Sequence, residues 1–102
     1  MVKTISMDDF VENNKTENLN VIDVREAHEY EAGHIPGAVN MALSEFEENY
    51  PELSKGKEYL LVCRSDARSG RATEFLTEQG YDATNVEGGM LQWPGEVEKS
   101  KN

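Results

Sequence analysis

Tyr59-Leu60-Leu61-Val62-Cys63-Arg64-Ser65-Asp66-Ala67-Arg68-Ser69-Gly70-Arg71 passes from apolar residues through the chain's single cysteine into an arginine-rich segment. The apolar run suits a buried strand, read here as Glu58 to Cys63. Ala72, Phe75 and Leu76 recur at helical spacing, which predicts a helix over Ser69–Gln79 closed by Gly80. Cys63 therefore stands between a strand end and a helix start. Unpaired N–H groups of the turn and the first helical residues face that position and, with the helix dipole, favour a negative charge. The thiolate is the reactive form of cysteine, and Arg64, Arg68 and Arg71 bring further positive charge. A buried structural cysteine is the bland alternative. The arginines and turn residues that follow Cys63 weigh against it.

Those arginines are three of ten Lys+Arg residues in a protein of 102 residues with formal net charge −10. An acidic surface repels nucleic acid and anionic membranes, so neither is an expected partner. The length fits one domain, 1–102, with about 96–102 read as a charged tail that frays. One cysteine cannot form an internal disulfide, a CxxC pair or a cysteine-rich zinc site. The N-terminus lacks the apolar region of a signal peptide, and no apolar run approaches membrane-spanning length. A reducing compartment, the cytoplasm, is the expectation.

Outward from the cysteine, strands alternate with helices. Lys3–Ile5 reads as a short strand, and Ser6 as the N-cap of a helix carrying Phe10 and Val11. Asn13–Asn18 reads as a polar loop. Leu19–Val24 is β-branched and apolar enough for a central parallel strand, except for Asp23. Ligands of open α/β sheets lie beyond the C-terminal strand ends, which makes Asp23 and Arg25 candidates for nearby support. A salt bridge bracing the next turn is at least as good a reading of the pair. Glu26–Ala32 is a short helix ended by Gly33, and Ala38–Met41 a short strand. Ser44 and Glu47 have capping-box spacing for a helix stopped by Pro51. Ala83–Val86 is the last strand, and Gly88-Gly89 turns into a helical piece, Met90–Trp93. The pattern is an α/β fold with a mainly parallel sheet. His28, His34, Glu29 and Glu31 do not make a convincing metal cluster, and no metal site is expected.

Three blocks together resemble a single-domain rhodanese. They are Val21–Glu26 with Glu29-Tyr30 and Gly33–Asn40, then Cys63–Ser69, then Gly80-Tyr81 with Val86–Met90 and Trp93. The resemblance implies five mostly parallel strands with helices on both faces and a sulfurtransferase activity. Cys63 would take a sulfane sulfur from thiosulfate, polysulfide or a low-molecular-weight persulfide and pass it to a thiol, cyanide or a protein cysteine. Arg64, Ser65, Asp66, Ala67, Arg68 and Ser69 would cradle the persulfide, with Arg64 and Arg68 attracting the anionic donor. No cofactor is implied. A non-catalytic binding module of the same family is the competing class. The four residues between Cys63 and Arg68 make a shorter loop than related phosphatases and arsenate reductases use, which suits a sulfur atom better than an oxyanion. Asp66 stands where such loops commonly have Gly. It is expected to adopt left-handed geometry, and its carboxylate either repels an anionic donor or turns outward to Arg64 or Arg68.

Overall fold

A computed structural model describes residues 2–99. Five strands form one sheet: β1 (Lys3–Ile5), β2 (Val21–Asp23), β3 (Val39–Asn40), β4 (Glu58–Val62) and β5 (Asp82–Val86). Their order is β1-β5-β4-β2-β3, and every pairing is parallel. Parallel strands need crossovers. These carry α1 (Met7–Thr16), α2 (Ala27–Ala32), α3 (Phe46–Asn49) and α4 (Ala67–Glu78), while α5 (Gly89–Gln92) follows β5.

Alternation along the strands divides the core between two faces. Tyr59, Leu61, Cys63, Ile22, Val24 and Ala83 pack with Phe46, Ala72 and Leu76 beneath α3 and α4. Leu60, Val62, Val21 and Val86 pack with Met7, Phe10 and Ile35, joined by Tyr30, Met90 and Trp93, beneath α1, α2 and α5. Helices thus cover both faces, as expected. From β2 the chain moves outward to β3, and from β4 it moves the other way to β5. The crevice where ligands bind in such sheets is therefore at the C-terminal ends of β2 and β4.

Several local expectations are corrected. Helix α1 runs on through Asn13–Thr16, because Met7 and Phe10 anchor it to the core and packing outweighs the weak helix propensity of its last turn. Ser44 caps no helix: its hydroxyl donates to Glu26 Oε1 at 2.8 Å, and α3 is flanked by 3-10 turns over Leu43–Glu45 and Tyr50–Glu52, with Pro51 inside the second. Part of the expected tail is tied to the domain at Glu98. Glu98 and His34 exchange backbone hydrogen bonds at 2.8 and 2.9 Å, and His34 stacks on Tyr30 with ring centroids 3.7 Å apart. The remainder of the expected tail, 100–102, lies outside the described residues. No helix among the described residues is long and apolar enough to cross a membrane.

Candidate active site

Cys63 follows β4 directly, and its side chain is 1% exposed. The turn after it is shorter than the sequence suggests, because α4 begins at Ala67. Only Arg64, Ser65 and Asp66 form the turn. Ala67, Arg68 and Ser69 are the first turn of the helix, so the sulfur meets helical residues from the outset. Ser69 Oγ lies 3.2 Å from Cys63 Sγ and 2.5 Å from Asn85 Oδ1.

Helix α5 fixes the other side of the turn. Met90 N–H donates to the Cys63 carbonyl at 2.8 Å, and Leu91 N–H to the Arg64 carbonyl at 3.0 Å. In a trans peptide the C=O of one residue and the N–H of the next point oppositely, and none of the described peptides is cis. Anchoring these two carbonyls on α5 turns the N–H groups of Arg64 and Ser65 away from it. Met90 packs on the Phe10 face and Cys63 on the Leu76 face, so the two amides are turned towards the sheet face that carries the sulfur. Gly89 makes this approach feasible. Its φ is +57°, and a Cβ there would lie 2.4–2.6 Å from the carbonyl oxygens of Cys63, Arg64 and Ser65.

The three arginines have different roles. Arg68 forms a bidentate pair with Glu29 of α2, with Nη1 to Oε1 at 2.7 Å and Nη2 to Oε2 at 2.9 Å. Its guanidinium braces the start of α4 against α2. Hydrogen bonding from Arg68 brings Glu29 down from 4.5 to about 2, against opposing burial. Arg64 and Arg71 are exposed, and neither has an ion-pair partner among the described residues. Arg71 joins Leu43, Phe46, Glu47, Ala72 and Phe75 around a groove of about 370 Å³. Ala72 and Phe75 of that groove pack in the same cluster as Cys63.

Asp66 adopts φ −143°, so it needs no left-handed conformation. Its Oδ1 accepts from Gly88 N–H at 3.0 Å and from Asn85 Nδ2 at 3.4 Å. The carboxylate pairs with neither Arg64 nor Arg68; it turns towards the β5–α5 connection. Asp23 and Arg25 bind each other. Asp23 is fully buried and accepts from Arg25 Nε at 3.0 Å, Nη2 at 2.8 Å and the backbone N–H at 3.0 Å. Arg25 Nη2 also donates to the Gly33 carbonyl at 2.7 Å. Asp23 is in register with Val62, so its side chain shares Val62's face, opposite Cys63. The pair ties the β2–α2 turn to the end of α2.

Glu29, Asn85 and Gly89 are the residues that the sequence reading did not assign to the site. Asn85 had a signal, being polar within a strand buried on both faces. Glu29 and Gly89 lie within the blocks that resemble a rhodanese, but their partners are distant in sequence and gave no sign of the contacts they make. The Glu29–Arg68 pair yields a pH prediction. A carboxyl whose folded value is lowered contributes stability in full above its unfolded value, and loses it as pH falls through the folded one. Denaturant midpoints of the parent should therefore fall between pH 4.5 and about 2 by more than those of Glu29→Gln. Parallel curves for the two proteins would show that the pair does not stabilise the fold.

A family model described as "Rhodanese-like domain" matches residues 6–96. The YtwF protein of Bacillus subtilis is 46% identical over 84% of this chain and 82% of its own length. A protein of Allochromatium vinosum named "Sulfurtransferase" is 33% identical over 76% of this chain and 74% of its own. The crystal structure of a rhodanese-like domain protein from Staphylococcus aureus superposes with a TM-score of 0.90 at 31% identity, covering 98% of this chain and all of that one.

Proposed function

Because the chain belongs to the rhodanese-like domain family, we propose that it is a sulfurtransferase that carries a sulfane sulfur as a persulfide on Cys63. The observation that carries this reading is the turn after Cys63, whose first two carbonyls are held by α5; the trans peptides then direct the next two amides away from α5, where they are available to the sulfur. Preorganised donors aimed where negative charge develops stabilise it without reorganisation. The terminal sulfur of a persulfide is such a charge.

With thiosulfate, the Cys63 thiolate attacks the outer sulfur. A Cys63 S–S bond forms, the bond to the sulfonate sulfur breaks, and sulfite leaves with the electron pair. An acceptor nucleophile then attacks the terminal sulfur and restores the thiolate: cyanide leaves as thiocyanate, a thiolate as a persulfide. Polysulfide and low-molecular-weight persulfides enter by the same exchange with a different leaving group. Exposed Arg64 and Arg71 are the cations available to draw in an anionic donor. A lone unpaired thiol fits a reducing compartment such as the cytoplasm.

The test is intact mass after incubation with thiosulfate or glutathione persulfide. The expected result is one added sulfur atom, removed by cyanide and absent from a folded Cys63→Ser variant. The 1% exposure of Cys63 favours a second reading, a non-catalytic binding module. That reading predicts no adduct with any donor.

A further inference from the structure

A second polar chain runs from the sulfur into the core and back to the turn. Ser69 Oγ has three neighbours able to receive or share its one proton: Asn85 Oδ1 at 2.5 Å, Cys63 Sγ at 3.2 Å and the Asp66 carbonyl at 3.3 Å. Ser69 is fully buried and Asn85 is 6% exposed, so water does not substitute for these partners. Asp66 decides which way the Asn85 amide faces. An ionised carboxylate only accepts, so the group turned to Asp66 Oδ1 is the amide NH₂ and the group turned to Ser69 is the carbonyl oxygen. The shortest contact then takes the Ser69 proton, and Ser69 offers sulfur a lone pair. That arrangement suits a protonated thiol, whose S–H can donate to it. A charged sulfur requires the opposite, a hydroxyl that donates to it.

We propose that Asn85, oriented by Asp66, is a positioning residue that holds the Ser69 proton away from Cys63 until the sulfur is charged. The hydroxyl then rotates to sulfur and the Ser69–Asn85 bond breaks. Asn85 touches neither the sulfur nor a substrate; it acts through Ser69. Its consequence is that a thiolate forms against one hydrogen bond, and that a second anionic sulfur state, the persulfide, draws on the same hydroxyl. The inference concerns the same Cys63 site and rests on the reading of that residue as the reactive sulfur. The other charges around the site are Arg68 with its partner Glu29 and nearby Glu26, Arg64 in the turn, and Arg71 with Glu47 at the groove rim. From β2, β5 and α5 the neighbours Val24, Asn85 and Met90 bring no charge.

The experiment is a pH titration of thiolate ultraviolet absorbance, taken as the difference from Cys63→Ser, so it requires neither a donor nor turnover. Asn85→Val removes the competing acceptor. It should raise the thiolate-to-thiol ratio at a given pH by about fivefold, the worth of one ordinary hydrogen bond. In a Ser69→Ala background the same substitution should change nothing, since the hydroxyl through which it acts is gone. Asp66→Ala, at an exposed position, removes the acceptor of Gly88 N–H as well and frees the Asn85 amide to turn over. It should shift the titration in the same direction, by more in the parent than in Ser69→Ala. An Asn85→Val titration that coincides with the parent's overturns the proposal, as does an equal shift with and without Ser69. If the relay behaves as expected while no sulfur adduct forms on Cys63, it is the sulfurtransferase reading that fails.

Discussion

Gly89→Ala is expected to lose persulfide formation and to unfold on the order of 3 kcal/mol more easily than the parent, combining a non-glycine residue at positive φ with overpacking. The added methyl group meets three carbonyl oxygens at 2.4–2.6 Å. Those oxygens are backbone, so no side-chain rotation relieves the overlap. Either α5 withdraws and releases the Cys63 and Arg64 carbonyls, or the turn moves with the sulfur it carries. Both outcomes disorganise the amides next to Cys63. Gly88→Ala is the informative comparison. Its Cβ would meet Gln92 Cγ at 2.4 Å and Gln92 Cβ at 2.9 Å, so α5 itself is crowded, but none of the three carbonyl oxygens of the turn is struck. Denaturant midpoints and the rate of sulfur loading separate the two. Equal loading rates in Gly89→Ala and the parent would show that α5 does not set the geometry of the turn.

Asp23→Leu is the second large effect. It leaves the Arg25 guanidinium 8% exposed without its carboxylate, a change that costs about 3–5 kcal/mol when a buried pair is broken from one side. The Gly33 carbonyl remains as a partner at 2.7 Å and is insufficient for a full charge. Replacing both residues, Asp23→Leu with Arg25→Met, should recover much of the loss because no charge is stranded. Sulfur loading per folded molecule should be unchanged in the double variant, since Asp23 faces away from Cys63. Restored stability with lost loading would return the pair to the active site.

These two residues illustrate what a linear sequence discloses. Asp23 stands out as a charge in an apolar strand, and that anomaly is legible. Its partner two residues on is legible as well. Which side of the sheet the pair occupies follows from register with Val62, and register emerges only when strands assemble. The strands themselves are readable because runs such as Tyr59–Val62 have few places to go except a doubly covered sheet. Helix ends are less so: Asn13–Thr16 and Ala67-Arg68 join their helices through contacts made elsewhere in the chain. The turn after Cys63 carries both its legible and its hidden parts side by side. Its cysteine and arginines are plain in sequence. That Arg68 is committed to Glu29, 39 residues earlier, and that Asp66 faces Gly88 and Asn85, depend on contacts no spacing encodes.

The strand order also constrains the sequence of events in which the molecule can assemble. The first strand has a single neighbour, β5, with Lys3 opposite Thr84 and Ile5 opposite Val86. A ribosome that has finished β1 must therefore extend the chain through β5 (Asp82–Val86) before that strand can pair. Until then its backbone N–H and C=O groups are an open edge, the kind that recruits a second chain. The formal charge of −10 accumulates along the same nascent chain. Repulsion between like-charged copies opposes their association, so the acidic composition protects the unfinished sheet during the interval in which it is exposed.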